Sequence, residues 1–302
     1  MAVRRRGRRR AGVSAVAVGT AGAVGVVLVT ATGCSGRGAA AAEEKVPRDP
    51  LRAVREAPDV LARSGTSSTV TAMEMTSGGT RVTIDGTGAF DYAKRAGRLK
   101  ILLPEGASGA AVGQRRPITE LITPDAVYMK NRGAGVPSDK WVRVETASLS
   151  DGNLVTSGAT DPVSAAELLR GARQVSYEGE RTLDGETVSH YEGTLDLRAA
   201  AKAASPHSRR QLEAAAKGFS TKAVPFEADI DERGRLRKVR HEFTVVNGEH
   251  DRHDAHDEHD EGGEGASGVA VSSTVRLRDF GTPVRIGMPE SRDIYAGTIA
   301  SP

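Results

Sequence analysis

"RQVSYEGERTLDGETVSHYEGTLDL" occupies residues 173–197. Apolar and polar residues alternate along both halves, the period-two pattern of a half-buried strand. Between the halves stands Asp184-Gly185. That dipeptide accepts the two positive φ values of a type I′ turn, whose twist suits a pair of antiparallel strands. The stretch therefore predicts a β-hairpin with one apolar and one polar face.

The same grammar extends in both directions. Residues 67–76 and 80–92 alternate on either side of Gly78-Gly79, a second hairpin. "GRLKILLP" (97–104) alternates Leu99, Ile101 and Leu103 against Arg98, Lys100 and Leu102. "AVYMKN" (126–131) and "KWVRVE" (140–145) flank a Gly- and Pro-bearing loop. Residues 224–246 turn near Arg233-Gly234, and "GVAVSSTVRLRDFG" (268–281) alternates again. Helical periods interrupt the strands. Residues 49–65 offer Asp49 as a cap and Pro50 in the first turn, and Pro58 is expected to kink or divide that helix. "DPVSAAELLRGA" (161–172) is helical, as is the Ala-, Lys- and Arg-rich run 198–218, broken near Pro206. Long hairpin-linked strands with few helices predict an α+β fold. Roughly ten to twelve antiparallel strands would be covered on one face by two or three helices, in one domain over residues 50–295.

If the strands pair as read, Val82, Ile84, Leu99, Ile101, Val127, Met129, Phe226, Ile230, Val245, Val271, Val275 and Leu277 share the apolar face. Two readings fit that pattern: a core filled by the helices, or a core left partly open for apolar guests. Aromatic residues are 4% of the chain, so the lining is aliphatic.

The N-terminus carries a separate message. "MAVRRRGRRR" holds six arginines and no acid, and residues 11–30 form an apolar run of small and β-branched residues. "ATGC" follows, ending in Cys34. A basic segment, an apolar segment and small residues before a cut describe an export signal over residues 1–33. A cysteine directly after the cut resembles a lipobox, although Ala31 stands where leucine is usual. A membrane-spanning anchor is the competing reading; Gly19, Gly22 and Gly25 and the small-residue exit favour cleavage. The arginines do not decide between general and twin-arginine export. Cys34 is the only cysteine, so the fold stands without an intrachain disulfide. The expected location is the extracytoplasmic face of the cell membrane, with acylated Cys34 as anchor and residues 34–49 as a small-residue, polar tether.

Removing residues 1–33 takes away six of the 42 basic residues and none of the 39 acidic ones, which leaves an acidic excess of three. A nucleic-acid partner is therefore not indicated. Catalysis finds no support either: the chain has no G-x-S-x-G, no H-E-x-x-H, no phosphate-binding loop and no second cysteine. His190 reads as a strand residue, His207 as a loop residue, and His241 as a ring that faces the apolar side and is packed there. No cofactor is required.

"GEHDRHDAHDEHDEGGEG" (248–265) sets His250, His253, His256 and His259 three residues apart among eight acids. Imidazole suits Zn²⁺, Cu²⁺ and Ni²⁺. The segment has no apolar residue but Ala255 and is flanked by glycines, so nothing in it holds ligating rings rigidly. It reads as an enlarged hairpin loop with an accessory capacity for metal.

The order of these pieces carries a family likeness: a lipobox, a helix, "AVYMKN…KWVRVE", "DPVSAAELLRGA", "GERTLDGETVSHYEGTLDL", "FEADIDERGRLRKVRHEF" and "VRLRDFGTPVRIGMP". It resembles the LppX/LprG family of actinobacterial lipoproteins, and beyond it the LolA/LolB half-barrels, over residues 50 to 290. The resemblance implies a strongly curved antiparallel half-barrel with helices packed on its concave face. It also implies an apolar cavity for the acyl chains of a lipid or glycolipid, an envelope transporter or acceptor protein as partner, and no enzymatic activity. The histidine stretch lies outside the family pattern. A structural or signalling envelope lipoprotein that binds a protein partner is the alternative reading.

Overall fold

Alternation and turn chemistry together build one antiparallel ladder system. The computed structural model describes residues 49–104, 117–131, 135–219, 221, 223–246 and 268–297. Its strands are β1 (Thr66–Ser77), β2 (Thr80–Asp91), β3 (Ala96–Leu102), β4 (Ile118–Ile122), β5 (Ala126–Lys130) and β6 (Trp141–Glu145), then β7 (Ala172–Leu183), β8 (Glu186–Asp196), β9 (Ala223–Asp231), β10 (Leu236–Val246) and β11 (Gly268–Arg278). All eleven form one sheet in the order β6-β5-β4-β3-β2-β1-β11-β10-β9-β8-β7. Every neighbour is a sequence neighbour except β1 and β11, which pair antiparallel at the centre. Two meanders thus run outward to opposite edges, and the chain must cross from β6 to β7.

That crossing, with the helices, covers the concave face of the curved half-barrel. The helices are α1 (Pro50–Ala62), α2 (Pro162–Leu168), α3 (Leu197–Ala203) and α4 (Arg209–Gly218). Each of the first three begins on an aspartate that accepts backbone N–H groups: Asp49 from Arg52, Asp161 from Val163 and Ser164, and Asp196 from Ala199. Replacing Asp161 by alanine is expected to cost about 1–2 kcal/mol, read as a fall in the urea midpoint. An unchanged midpoint would show that the buried cap contributes nothing net. Arg170 joins the helical layer: its guanidinium donates to Asp59 of α1 at 2.7 Å and to Glu167 of α2 at 2.9 Å.

Two expectations needed correction, and one strand had not been read. Four α-helices are present among the described residues rather than two or three, because the run 198–218 divides into α3 and α4 at the turn containing Pro206. Pro58 lies inside α1 without dividing it; Val54, Ala57, Pro58 and Leu61 share its buried face, and that packing holds the helix through the missing N–H. The short strand β4 had no sequence reading at all.

Curvature has a local cause. Gly86 and Gly88 occupy concave positions of β2 opposite Thr71 and Thr69 of β1, and opposite Ile101 and Leu99 of β3. A Cβ at Gly86 would overlap Thr71 Oγ1 and Ile101 Cδ1; one at Gly88 would overlap the Arg98 carbonyl oxygen and Leu99 Cδ2. The missing side chains let neighbouring strands close in on that face. The β6 edge is partly covered by the C-terminal segment. Trp141 bridges Ile294, and Tyr295 N–H donates to the Trp141 carbonyl at 2.8 Å.

Candidate lipid-binding face and cleft

The cross-strand register brings the twelve apolar residues onto one surface. Val82 continues through Met75 and Val271 to Phe243. Ile101 continues through Gly86, Thr71, Val275 and Val239 to Ala228. Leu99 links Gly88, Thr69 and Leu277 on one side to Glu120 and Met129 on the other. Ten of the twelve are buried, and Val82 and Val245 are partly buried against the same cluster. The cluster also contains Val54, Leu61, Leu168 and Leu212 from the helices. In the described state this face is packed by the chain's own side chains: Leu99 and Ile101 are both 0% exposed.

The crossing segment supplies part of that cover. The Asp151 carboxylate accepts the backbone N–H groups of Asn153, Val155 and Thr156 at 2.9, 2.7 and 2.7 Å, and so shapes the loop. Thr160 Oγ1 donates to the Leu154 carbonyl at 2.6 Å and meets Ser273 Oγ at 2.7 Å, so Ser273 is the donor of that second bond. This pins the crossing to β11.

Polar atoms lie within the apolar face. Thr69 and Thr71 point inward, each 1% exposed, and their hydroxyl oxygens have no hydrogen-bond partner among the described residues. His241, also 1% exposed, stands opposite Ser273 and Phe226 and stacks on Phe243 with ring centroids 5.9 Å apart. Its Nε2 likewise has no partner among the described residues. Burial without a counter-charge holds the imidazole down at about 3, so it is neutral across the physiological range. Phe243 stacks in turn on Phe219 at 5.0 Å.

Phe219 leads to the surface. It belongs to the core cluster and also lines a cleft of about 950 Å³ between α3, α4 and the approach to β9. Leu197, Ala201 and Ala216 give the cleft an apolar floor beside Phe219; Arg198, Lys202, Arg209 and Lys217 stand around it with Asp196 and Glu213. None of the twelve sequence-derived residues lines this cleft. Sequence reading had identified its helices but not the cleft, because only the fold of α3 against α4 brings these side chains together.

The other histidines fall into place differently. His190 lies on the opposite face, its Nδ1 3.0 Å from Asp229 Oδ1, while Arg181 donates to Asp229 Oδ2 at 2.6 Å. This network buries one carboxylate with two partners. His207 is exposed in the turn between α3 and α4. Val246 pairs with Gly268, so β10 and β11 hold together the ends of the segment 247–267. His250, His253, His256 and His259, and Cys34, lie outside the described residues. Among the described residues no group of three or more ligating side chains gathers, and no helix is long and apolar enough to cross a membrane.

No family model matches the chain, and no curated protein matches it. Solved structures do. The lipoprotein LppX of Mycobacterium tuberculosis aligns over 78% of this chain and 97% of its own, at 15% identity and a TM-score of 0.41. LprF from Mycobacterium bovis aligns over 80% and 96%, at 11% identity and 0.40. A LolA superfamily protein from Nitrosomonas europaea aligns over 76% and 94%, at 9% identity and 0.32.

Proposed function

We propose that this chain is an envelope lipoprotein, anchored at the extracytoplasmic face of the membrane through acylated Cys34. It holds the acyl chains of a lipid or glycolipid between the concave face of its half-barrel and the helices. The observation that carries the reading is the continuity from surface to core through Phe219, which touches both the cleft and the apolar cluster. Each methylene buried by a guest contributes about 0.8 kcal/mol, so two long chains give ample affinity with little polar recognition. Because the face is packed in the described state, a guest enters by moving helices away from the sheet, with the α3–α4 cleft as the mouth. The direct test is mass spectrometry of organic extracts from the purified protein. Co-purifying lipid supports the reading; its absence from every preparation would sink it.

The packed concave face also favours a second reading, a lipoprotein that presents its surface to a protein partner without carrying lipid. In-cell cross-linking that recovers one stoichiometric complex, with no lipid extracted, would select it. The anchor has its own test. Cys34→Ala is expected to abolish incorporation of labelled fatty acid and to shift the protein out of the membrane fraction. Retention of label by that variant would place the acylation elsewhere. Metal capture by the segment 248–265 is an accessory capacity. Calorimetric titration of Zn²⁺ into the wild type and into a deletion of residues 249–264 decides it, and indistinguishable binding would end the idea.

A further inference from the structure

We infer that the cleft between α3 and α4 selects an anionic phospholipid, with the phosphate met by Arg198, Lys202 and Lys217 while an acyl chain lies on Leu197, Ala201, Ala216 and Phe219. The inference rests on the lipid-carrier reading and adds to it the chemical class of headgroup.

Charge bookkeeping points this way. Among the described residues, the side chains of Arg198, Lys202 and Lys217 form no ion pair and no hydrogen bond. Among the described residues the Arg209 side chain reaches only the Ala204 carbonyl, at 3.3 Å. The two acids at the cleft do not neutralise the four cations. The Asp196 carboxylate caps α3 and lies 3.7 Å from Arg173, so that of the two cleft acids only Glu213 has no partner among the described residues. Arg198 and Lys202 are four residues apart on a seven-residue helix, and so present like charges on one face. Such a pair is unfavourable by a few tenths of a kcal/mol in an isolated helix. A bound anion turns that repulsion into attraction.

The apolar floor decides what kind of anion. Free phosphate gains nothing from Phe219, and a lipid without a phosphate gains nothing from the cations. In a zwitterionic headgroup the quaternary ammonium offsets the phosphate beside those cations. A single molecule with an acyl chain and a net negative phosphate headgroup uses both parts of the cleft. Lysine and arginine heads remain in water while their stems flank the chain, a suitable arrangement for a headgroup at the mouth of a lipid site.

The experiment presents the full chain, kept in nonionic detergent, with mixed micelles that hold equal parts phosphatidylcholine and phosphatidylglycerol. The recovered protein is then examined by native mass spectrometry. Phosphatidylglycerol is expected to be held in about tenfold excess, the ratio that 1.4 kcal/mol of added headgroup attraction gives. The double variant Lys202→Glu and Lys217→Glu alters two exposed side chains. It is expected to lose the preference for phosphatidylglycerol, and a preference kept by that variant would overturn the assignment of the phosphate to these side chains. Both lipids held equally by the wild type would overturn the headgroup inference and leave the carrier reading standing. No lipid held at all would overturn both. Inorganic phosphate alone is the control: if it binds as tightly as the phospholipid, the apolar floor has no part in recognition and the inference fails.

Discussion

Acidification from pH 7 to pH 4 is expected to destabilise the domain by a step that disappears when His241 is replaced by leucine. The imidazole titrates near 6.5 when exposed and is held at about 3 by burial. The folded state therefore resists the proton that the unfolded chain accepts. The sign follows from that difference: stability is full above about pH 6.5 and falls as pH drops towards 3, by roughly 1.4 kcal/mol per unit. The total by pH 3 amounts to about 5 kcal/mol, a large part of the 5–15 kcal/mol that holds a typical domain. Asp59, held low chiefly by its hydrogen bond to Arg170, and Asp91, held low chiefly by the Lys94 backbone N–H, lose their contributions only at stronger acid, and do so in both proteins. The difference between wild type and variant thus isolates His241. The leucine variant is also expected to gain about 1–3 kcal/mol at pH 7, because it removes a buried Nε2 that has no partner among the described residues. Urea unfolding at a series of pH values reads both effects. Equal acid slopes in the two proteins would show that water or an unseen partner satisfies the ring.

How far the sequence foretold this fold depends on how local each signal is. Asp184 and Gly185 carry φ values of 51° and 82°, and Leu183 pairs with Glu186, because turn chemistry needs nothing from the rest of the chain. The hairpins at Gly78-Gly79 and Gly234 were legible for the same reason. Strand β1 shows the limit. In "TSSTVTAMEMTS" the alternation is ambiguous, and the structure turns Ser67, Thr69 and Thr71 inward while Val70 stays half-exposed on the outer face. Register with β2 and β11 sets that choice, and register is non-local. Strand β4 was missed for a related reason. "ITELI" places Glu120 on the concave side at 0% exposure, so hydrophobicity alone gives no strand period. The twelve apolar residues could be assigned to one face because period two survives without knowledge of partners. The cleft could not, since it exists only where α3 and α4 fold back on one another.

Gly88→Val is expected to cost more than about 3 kcal/mol and to leave little soluble protein, although Gly88 carries an ordinary strand φ. The reason is the backbone, not the side-chain neighbours. A β-carbon there would run into the carbonyl oxygen of Arg98 on β3, an atom fixed by the ladder in which Gly88 pairs with Leu99. Leu99 can adjust a rotamer, but the carbonyl can retreat only if β2 and β3 part. Parting them flattens the sheet where β2, β3 and β4 curl round the apolar face. A flatter sheet in turn draws Leu99 and Ile101 away from the crossing segment and the helices. The control is Gly287→Ala, where a β-carbon meets nothing within 4 Å and the change is expected to stay within about 0.5 kcal/mol. Urea midpoints for the two variants separate a steric effect from a general intolerance of glycine replacement. Equal midpoints would mean that the sheet reaches its curvature without the bare backbone of β2. The concave face on which the lipid reading depends would then have another origin.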